Sequence, residues 1–548
     1  MTMPNRDADA GEEVPVLIAG GGMVGLSAAA FLAQRGIRSV AIERLKTSSP
    51  LPRAAFFHMR TLEMFRSLGI ESRVREQSHK DFVPEGAIIA MESLAGPKLA
   101  DIIPSLNEGV DALSPCRRLF LNQPSLEPIL RERAREAGAS VITGAEIIAV
   151  KQDAAGVTVT MKDVDNGIER DIRGKYLIAA DGGHSKVREL LGIQHDGRGA
   201  FSNSLTIYFT ADLSPWIGSN AWSIIYVNNP TLGGFFRMNR TAQAGFLAVN
   251  TVGDPRLDPE AAANAAADVS EARLIELVRA GVGVKDLKVR IDGMTRWRAT
   301  ARVAQKLQDG RVFIVGDAAH VMPPNGGFGG NTGIHDAHNL AWKLALVLQG
   351  HASPRLLETY ETERKPVAQF TVEQAFSRYV ARTAPWLQSS QTTEPLAHDF
   401  DIELGYLYGS SEGTHADPRE THGMPGSRAP HVWLERRSEG LSPGERKSER
   451  VSTIDLTGRY LLLAGSQGDQ WIPAAKAAAS QFGALALDAY RVGTDLTDPD
   501  ERFASAYGIS NTGASLVRPD GFVAWRSPAA ATEPERVLSE ALARSLMR

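Results

Sequence analysis

The sequence predicts an α/β fold, on three patterns. Near the amino terminus an apolar run passes straight into a glycine-rich turn and a helical stretch. Residues 311–317 repeat that order as a short apolar strand ending in Gly-Asp, with a second glycine-rich loop and a helix behind it. Beyond residue 450, strand-like and helix-like segments alternate once more. Between these, residues 200–300 alternate polar with apolar or aromatic side chains, the period of a sheet covered on one face. At 548 residues the chain is several times a single-domain length, so two or three domains are expected.

Bulk properties narrow the function classes. A hydrophobic share of 43% and a charged share of 23% are those of an ordinary globular protein. The net charge of -4 comes from acids and bases mixed throughout, without a basic stripe, so neither nucleic acid nor an anionic membrane is an expected partner. The single cysteine, Cys116, excludes an intrachain disulfide and a cysteine-based metal site, which fits a cytoplasmic location. Redox chemistry would therefore need a borrowed cofactor, and no metal is expected. Residues Met1 to Pro15 have no apolar core and read as a tail, not a signal peptide, and no run of about 18 apolar residues would span a bilayer.

In the first unit, the strand Val16-Leu17-Ile18-Ala19 meets Gly20-Gly21-Gly22-Met23-Val24-Gly25 and a helix over 26–34. Gly20 would permit the tight turn, Gly22 the close approach of a pyrophosphate, and Gly25 close helix packing, while the N-terminus of the helix that follows supplies free amides and a positive dipole; Met23 and Val24, inside the turn, are further candidate cofactor contacts. Gly36 ends that helix. Ser39 to Ile42 then delivers Glu43 and Arg44, placing a carboxylate about 20 residues after the glycines, where it can bond ribose hydroxyls. This is a Rossmann-like βαβ unit for an adenine dinucleotide. FAD and NAD present it with the same ribose and pyrophosphate, so these residues leave the two open.

The string from Gly316 to Ala345, GDAAHVMPPNGGFGGNTGIHDAHNLAWKLA, resembles the second FAD-binding motif of the single-component aromatic hydroxylases, the group of para-hydroxybenzoate hydroxylase, phenol hydroxylase and rifampicin monooxygenase. The resemblance implies that Asp317 holds the flavin ribityl hydroxyls. It also implies that the loop with Pro324, Gly327, Gly329, Gly330 and Asn331, ahead of a helix from Thr332, lies against the isoalloxazine, where amides stabilise the reduced, anionic ring. The segment from Tyr176 to Arg188 resembles the family's Asp-Gly motif, implying a part for Asp181 and Arg188 in FAD and pyridine-nucleotide handling. Arg53 and Gln123 match positions that contact the FAD pyrophosphate and ribityl region. One departure is His335, where the family commonly has Gln. The chain has one G-x-G-x-x-G and no cysteine pair, so NADPH or NADH would visit the flavin transiently.

The same resemblance makes the middle sheet the roof of a substrate pocket, with Tyr226, Phe235, Phe236, Arg237, Met238 and Pro324 as candidate lining, although core packing is the alternative for each. His58, His320 and His338 read as structural, and no catalytic acid or base is identified. The expected layout is a Rossmann-like FAD-binding domain (14–195 and 290–385) interleaved with a mixed β-sheet substrate domain (196–289 and part of 81–115). A connection (386–450) then leads to a thioredoxin-like domain (451–548) with no redox cysteine pair.

The implied activity is that of an FAD-dependent monooxygenase using NADPH or NADH and molecular oxygen. Through a flavin C(4a)-hydroperoxide it would hydroxylate a small aromatic substrate, a phenol or similarly electron-rich ring, with a secondary metabolite as the preferred class. A catabolic phenol hydroxylase, epoxidation or Baeyer-Villiger insertion on the same fold, and a non-enzymatic FAD-stabilised binding module are the alternatives. The Trp-x-Trp-x-Ile-Pro segment of flavin halogenases is absent. A monomer or a homodimer is expected.

Overall fold

A computed structural model describes residues 13–48, 56–253, 257–389, 391–409, 413–437 and 448–548. The strand Val14–Ala19 lies parallel to Ser39–Glu43 on one side and to Glu169–Ala179 on the other. Val312–Ile314 extends the sheet past Glu169–Ala179, and Ser140–Thr143 past Ser39–Glu43, both in parallel. Val16, Leu17, Ile18, Leu177, Ile178 and Phe313 are fully buried, as parallel strands covered on both faces require. Ala19 pairs with Ile42 and with Ala179, and Ala179 with Ile314. That register ends the strands in one row, so the glycine turn, Glu43, Asp181 and Asp317 emerge together at the carboxyl edge of the sheet, where open α/β sheets bind ligands.

A second sheet runs in the order His320–Val321, Arg290–Ala304, His195–Thr210, Ala244–Val252, Leu232–Met238, Trp222–Asn228, Ala87–Met91, Lys98–Ile103. Alternation divides its faces. Leu205, Ile207, Phe209, Leu247, Val249 and Phe236 pack with Leu274, Leu277 and Val278 of the helix Glu271–Val282. Thr206, Tyr208, Phe246, Tyr226, Phe235 and Arg237 occupy the other face, from which Tyr226 meets Asn325 in the loop that follows Val312–Ile314.

The helix Phe328–Leu348 starts four residues before the expected Thr332. Gly329, Gly330 and Asn331 therefore form its first turn instead of a loop, because Gly327, with φ +70, makes the left-handed turn that starts the helix, and the Asn331 side chain bonds back to the Gly327 carbonyl at 2.7 Å. Residues 386–450 also depart from a plain connection. They include the helix Asp399–Leu404 and the strand Trp433–Arg437, which pairs with Ser448–Ser452 and Leu496–Thr497. Only isolated apolar residues such as Leu434 and Val451 face that small core, so the charged run hid its period.

The carboxyl-terminal sheet has the order Leu487–Arg491, Tyr460–Ala464, Ala514–Val517, Val523–Ser527, with the helices Trp471–Gln481 and Pro534–Ser545 packed against it. The hairpin closes at Pro519-Asp520-Gly521, where the Arg518 amide donates to Phe522 at 2.7 Å and Gly521 takes φ +82. Among the described residues no helix is long and apolar enough to cross a membrane.

Candidate active site

The three motif glycines do different work. Gly20 has φ +99, and a Cβ there would stand 2.4 Å from the Ala180 carbonyl oxygen. A Cβ on Gly25 would stand 2.0 Å from the Gly20 carbonyl oxygen. Gly22 is different: its Cβ would meet only Glu127 Oε1, at 3.7 Å, so open space lies before it. It is the N-cap of Met23–Gln34 with no side-chain cap, and the amides of Met23, Val24 and Gly25 have no intrahelical acceptor. Glu43 is fixed beside this turn, its Oε2 accepting from the Gly21 amide at 2.6 Å and its Oε1 from Leu45 at 2.7 Å. Arg44 is exposed. Gln123 opens the helix Gln123–Glu136 and donates to Glu127 Oε1 at 2.6 Å, which brings it to the same turn. Arg53 lies outside the described residues.

The two nucleotide motifs touch with no side chain intervening except Val24. A Cβ on Gly333 would stand 2.8 Å from both Gly316 Cα and Val24 Cγ2. Asp317 follows with an exposed side chain, its Oδ1 3.9 Å from where Gly329 would have a Cβ. Asp181 accepts from Ser185 Oγ at 2.5 Å and from the Val187 amide at 3.0 Å, which fixes the start of the helix Lys186–Leu190. Burial raises its carboxyl pKa against those bonds. Arg188, from that helix, donates to the Ala318 carbonyl at 3.0 Å and so ties the Asp-Gly turn to the residue after Asp317.

Asn331 is buried and fully engaged. Its Oδ1 accepts from the His58 amide at 3.0 Å and Thr61 Oγ1 at 2.6 Å, and its Nδ2 donates to Phe56 and Gly327 carbonyls. Only its main chain is left to face a cofactor, with Gly329 and Gly330 beside it. His335 bridges Thr61 at 2.9 Å and the Tyr406 hydroxyl at 2.9 Å. Burial first, then Arg364 and Arg60, push its pKa well down, so it is a neutral bridge. His320 pairs with Asp336 at 2.7 Å, and Arg364 holds the other oxygen of that carboxylate at 2.7 Å. His338 packs edge-on to Phe31, with burial lowering its pKa. His58 bonds the Gly326 carbonyl at 3.0 Å and is kept neutral mainly by burial.

Across from the loop stands the second sheet. The Tyr226 hydroxyl accepts from Asn325 Nδ2 at 3.4 Å, and the same Nδ2 donates to Thr383 at 3.2 Å. The Phe235 ring lies 5.6 Å from that of Tyr226. Arg237 lies over the Phe82 and Phe120 rings at 3.9 and 4.8 Å, and Phe120 stacks on Phe56, whose Cβ would be 3.0 Å from a Cβ on Gly327. Tyr226, Phe235 and Arg237 thus share the face over the glycine-rich loop, where Pro324 is exposed. Phe236 and Met238 fall on the opposite face. A Cβ on Gly281 of the helix would touch the Phe236 ring, and Met238 packs against the same core. Sequence reasoning missed Thr61, Phe82, Phe120, Asn325 and Tyr406. Of these only Asn325, inside the glycine-rich loop, had a local signal.

The family described as FAD binding domain matches residues 13–375, and that described as aromatic-ring hydroxylase, C-terminal, matches residues 422–548. The chain belongs to the FAD-dependent aromatic-ring hydroxylases. It is 48% identical over 98% of both chains to the 4-methyl-5-nitrocatechol 5-monooxygenase of a Burkholderia species. It is 38% identical to the aklavinone 12-hydroxylase of Streptomyces purpurascens, over 98% of this chain and 99% of that one. A crystal structure of aklavinone-11 hydroxylase with FAD and aklavinone superposes with a TM-score of 0.89 at 36% identity, covering 98% of this chain and 99% of that chain. This hydroxylase is therefore an FAD-dependent monooxygenase of aromatic rings, with NAD(P)H as reductant and molecular oxygen as oxidant. Its residues fit the cofactor: open space before Gly22, helix-start amides with no intrahelical acceptor at two helices, and carboxylates, Glu43, Asp181 and Asp317, at three strand ends.

Proposed function

We propose that this hydroxylase acts on a small, acidic phenol or catechol, with FAD held by the residues gathered at the sheet edge. The observation behind this reading is the apposition of the Tyr226 and Phe235 face to the loop from Asn325 to Gly330, which offers aromatic faces and few polar groups to a flat ring. The size class follows the higher identity to the nitrocatechol enzyme, 48% against 38% for the aklavinone enzyme. The amides of Gly22, Met23, Val24 and Gly25 would hold the pyrophosphate, with Gln123 nearby. Glu43, followed by Arg44, would take the adenosine ribose and Asp317 the ribityl chain. The main-chain amides from Phe328 to Asn331 would face the ring system, Asp181 and Arg188 keeping the adjoining turn in place.

Bound there, FAD supplies the hydride acceptor and the oxygen activation that the side chains lack. The protein positions the ring and excludes water. Because Tyr226 accepts from Asn325, its own O–H is left to donate to a ligand oxygen. A cytoplasmic site of action is supported by the need for NAD(P)H and by the single cysteine, which is buried.

The deciding experiment is anaerobic reduction of the holoenzyme by NADPH and by NADH, with 4-methyl-5-nitrocatechol, simple phenols and a tetracyclic anthracyclinone. Fastest flavin bleaching with the nitrocatechol, and a hydroxylated product on adding oxygen, are expected. Acceleration by the tetracycle alone would move the substrate to aromatic polyketides, the second reading. Flavin that no ligand makes reducible would overturn both.

A further inference from the structure

The unusual group in the roof is Arg237. It is 4% exposed, and its Nε and Nη2 are buried without a hydrogen-bond partner among the described residues. Arg60, Arg118, Arg364, Arg378 and Arg428 are also buried, and each of them bonds a carboxylate, while buried Arg188 bonds the Ala318 carbonyl. Among the described residues Arg237 has only the ring faces of Phe82 and Phe120. Those rings return part of the lost hydration but engage none of its N–H donors. Asp81, the one acid among the described residues whose field reaches it, has its own oxygens taken by Gln77 at 2.8 Å and Ser125 at 2.7 Å. Burial lowers the guanidinium pKa to about 9, with Asp81 only partly offsetting the loss. An arginine so placed keeps a large desolvation penalty until an anion arrives.

We propose that Arg237 is the anchor for a negatively charged oxygen of the substrate, so that the enzyme selects its phenol as the phenolate. This rests on the reading that the Tyr226 and Arg237 face roofs the substrate pocket. The two free donors would meet the oxygen with charge-assisted bonds, stronger in a dry site than in water. The phenol would release its proton to solvent on binding. The phenolate pushes more electron density onto the ortho and para carbons than the phenol does, which favours attack by an electrophilic oxygen. Selection and activation then come from one side chain.

The test uses holoenzyme without reductant and 4-nitrophenol, whose phenolate absorbs in the visible, with 4-nitroanisole as the uncharged match. On wild-type enzyme the ligand's apparent pKa should fall by about one unit or more. Arg237→Met should abolish that shift and weaken 4-nitrophenol binding at least about tenfold while leaving 4-nitroanisole unchanged, and Arg237→Lys should retain part of both. If Arg237→Met loses its flavin, the wild-type shift and the Lys variant decide. An unshifted ligand pKa on wild-type enzyme, or equal phenolate binding by the Met variant, overturns the proposal. Should phenols neither bind nor accelerate flavin reduction, the substrate reading itself fails; hydroxylation with no shift would remove only the role of Arg237.

Discussion

At the crevice proposed for the cofactor the donors are main-chain amides, and what matters about Gly20, Gly22 and Gly25 is that they lack a side chain. Under the carboxyl-terminal domain the reverse holds. Glu63 accepts from Arg60 at 2.9 Å, from Arg428 Nε at 3.0 Å and from Ser114 at 2.6 Å. Asp520, in the hairpin turn, takes the Trp342 indole N–H at 3.1 Å, and its carbonyl accepts from Arg60. Arg518 bonds both oxygens of Glu363 at 2.6 and 3.0 Å, with Lys343 on the same carboxylate at 2.8 Å. Burial alone would push the Glu63 carboxyl up, yet Arg428 and Arg60 hold it below its ordinary value. One region is backbone freed of side chains, and the other is side-chain charge that must be matched across a seam. The first should fail by steric exclusion, the second by stranded charge.

Gly25→Ala tests the first rule most severely. Its methyl would sit 2.0 Å from the Gly20 carbonyl oxygen, and neither backbone segment can retreat without breaking the turn. A loss above about 3 kcal/mol is expected, read as a collapse of the melting transition and of bound flavin in the purified protein. Arg428→Met tests the second. Glu63 would keep Arg60 and Ser114 but lose its bidentate partner, costing about 3 kcal/mol by urea denaturation, the lower end for breaking a buried pair. Flavin content per folded molecule should not change. Loss of flavin in proportion to stability would instead show that the seam reaches the glycine-rich loop through Thr61 and His335. Gly22→Ala separates the regions from the other side. Its methyl meets only Glu127 Oε1 at 3.7 Å, so the apo-protein melting temperature should hold while the FAD dissociation constant rises at least about tenfold, roughly 1.4 kcal/mol.

The same contrast explains what the sequence revealed. Constraints at the crevice act within a few residues: a strand, glycines at fixed offsets, a carboxylate at the next strand end. Each can be read locally, and register then brings Glu43, Asp181 and Asp317 to one edge. Face assignment in the second sheet was legible in principle, since alternation separates Arg237 from Met238, but which face meets the glycine-rich loop needed the contacts of Tyr226 and Phe120. At the seam, Glu63 and Arg428 are 365 positions apart, and either alone reads as a solvated surface charge. Tyr406 sits in a stretch whose composition suggested a linker, so its bond to His335 left no pattern. Where pairing is non-local and made by common residue types, one sequence holds no local trace of it.

Lys343 sharpens the comparison at its weakest point, because there a buried charge is not the only partner of its acid. Glu363 also holds Arg518 through two bonds and accepts from Asn339 at 2.7 Å. Burial lowers the Lys343 pKa to about 8, further than Glu363 can restore it. Between about 8 and its ordinary 10.5 the unfolded chain therefore binds a proton that the folded one does not, and stability gains a contribution that grows with pH. Below about 8 the buried ammonium is a burden. Lys343→Met, of similar length and free of that burden, should then change stability by less than about 1 kcal/mol at pH 7. The wild-type protein should gain on the variant as pH is raised from 8 to 10.5, followed by paired urea titrations. A variant that loses several kcal/mol at pH 7 would show that the seam needs each of its charges, not merely a partner for each acid.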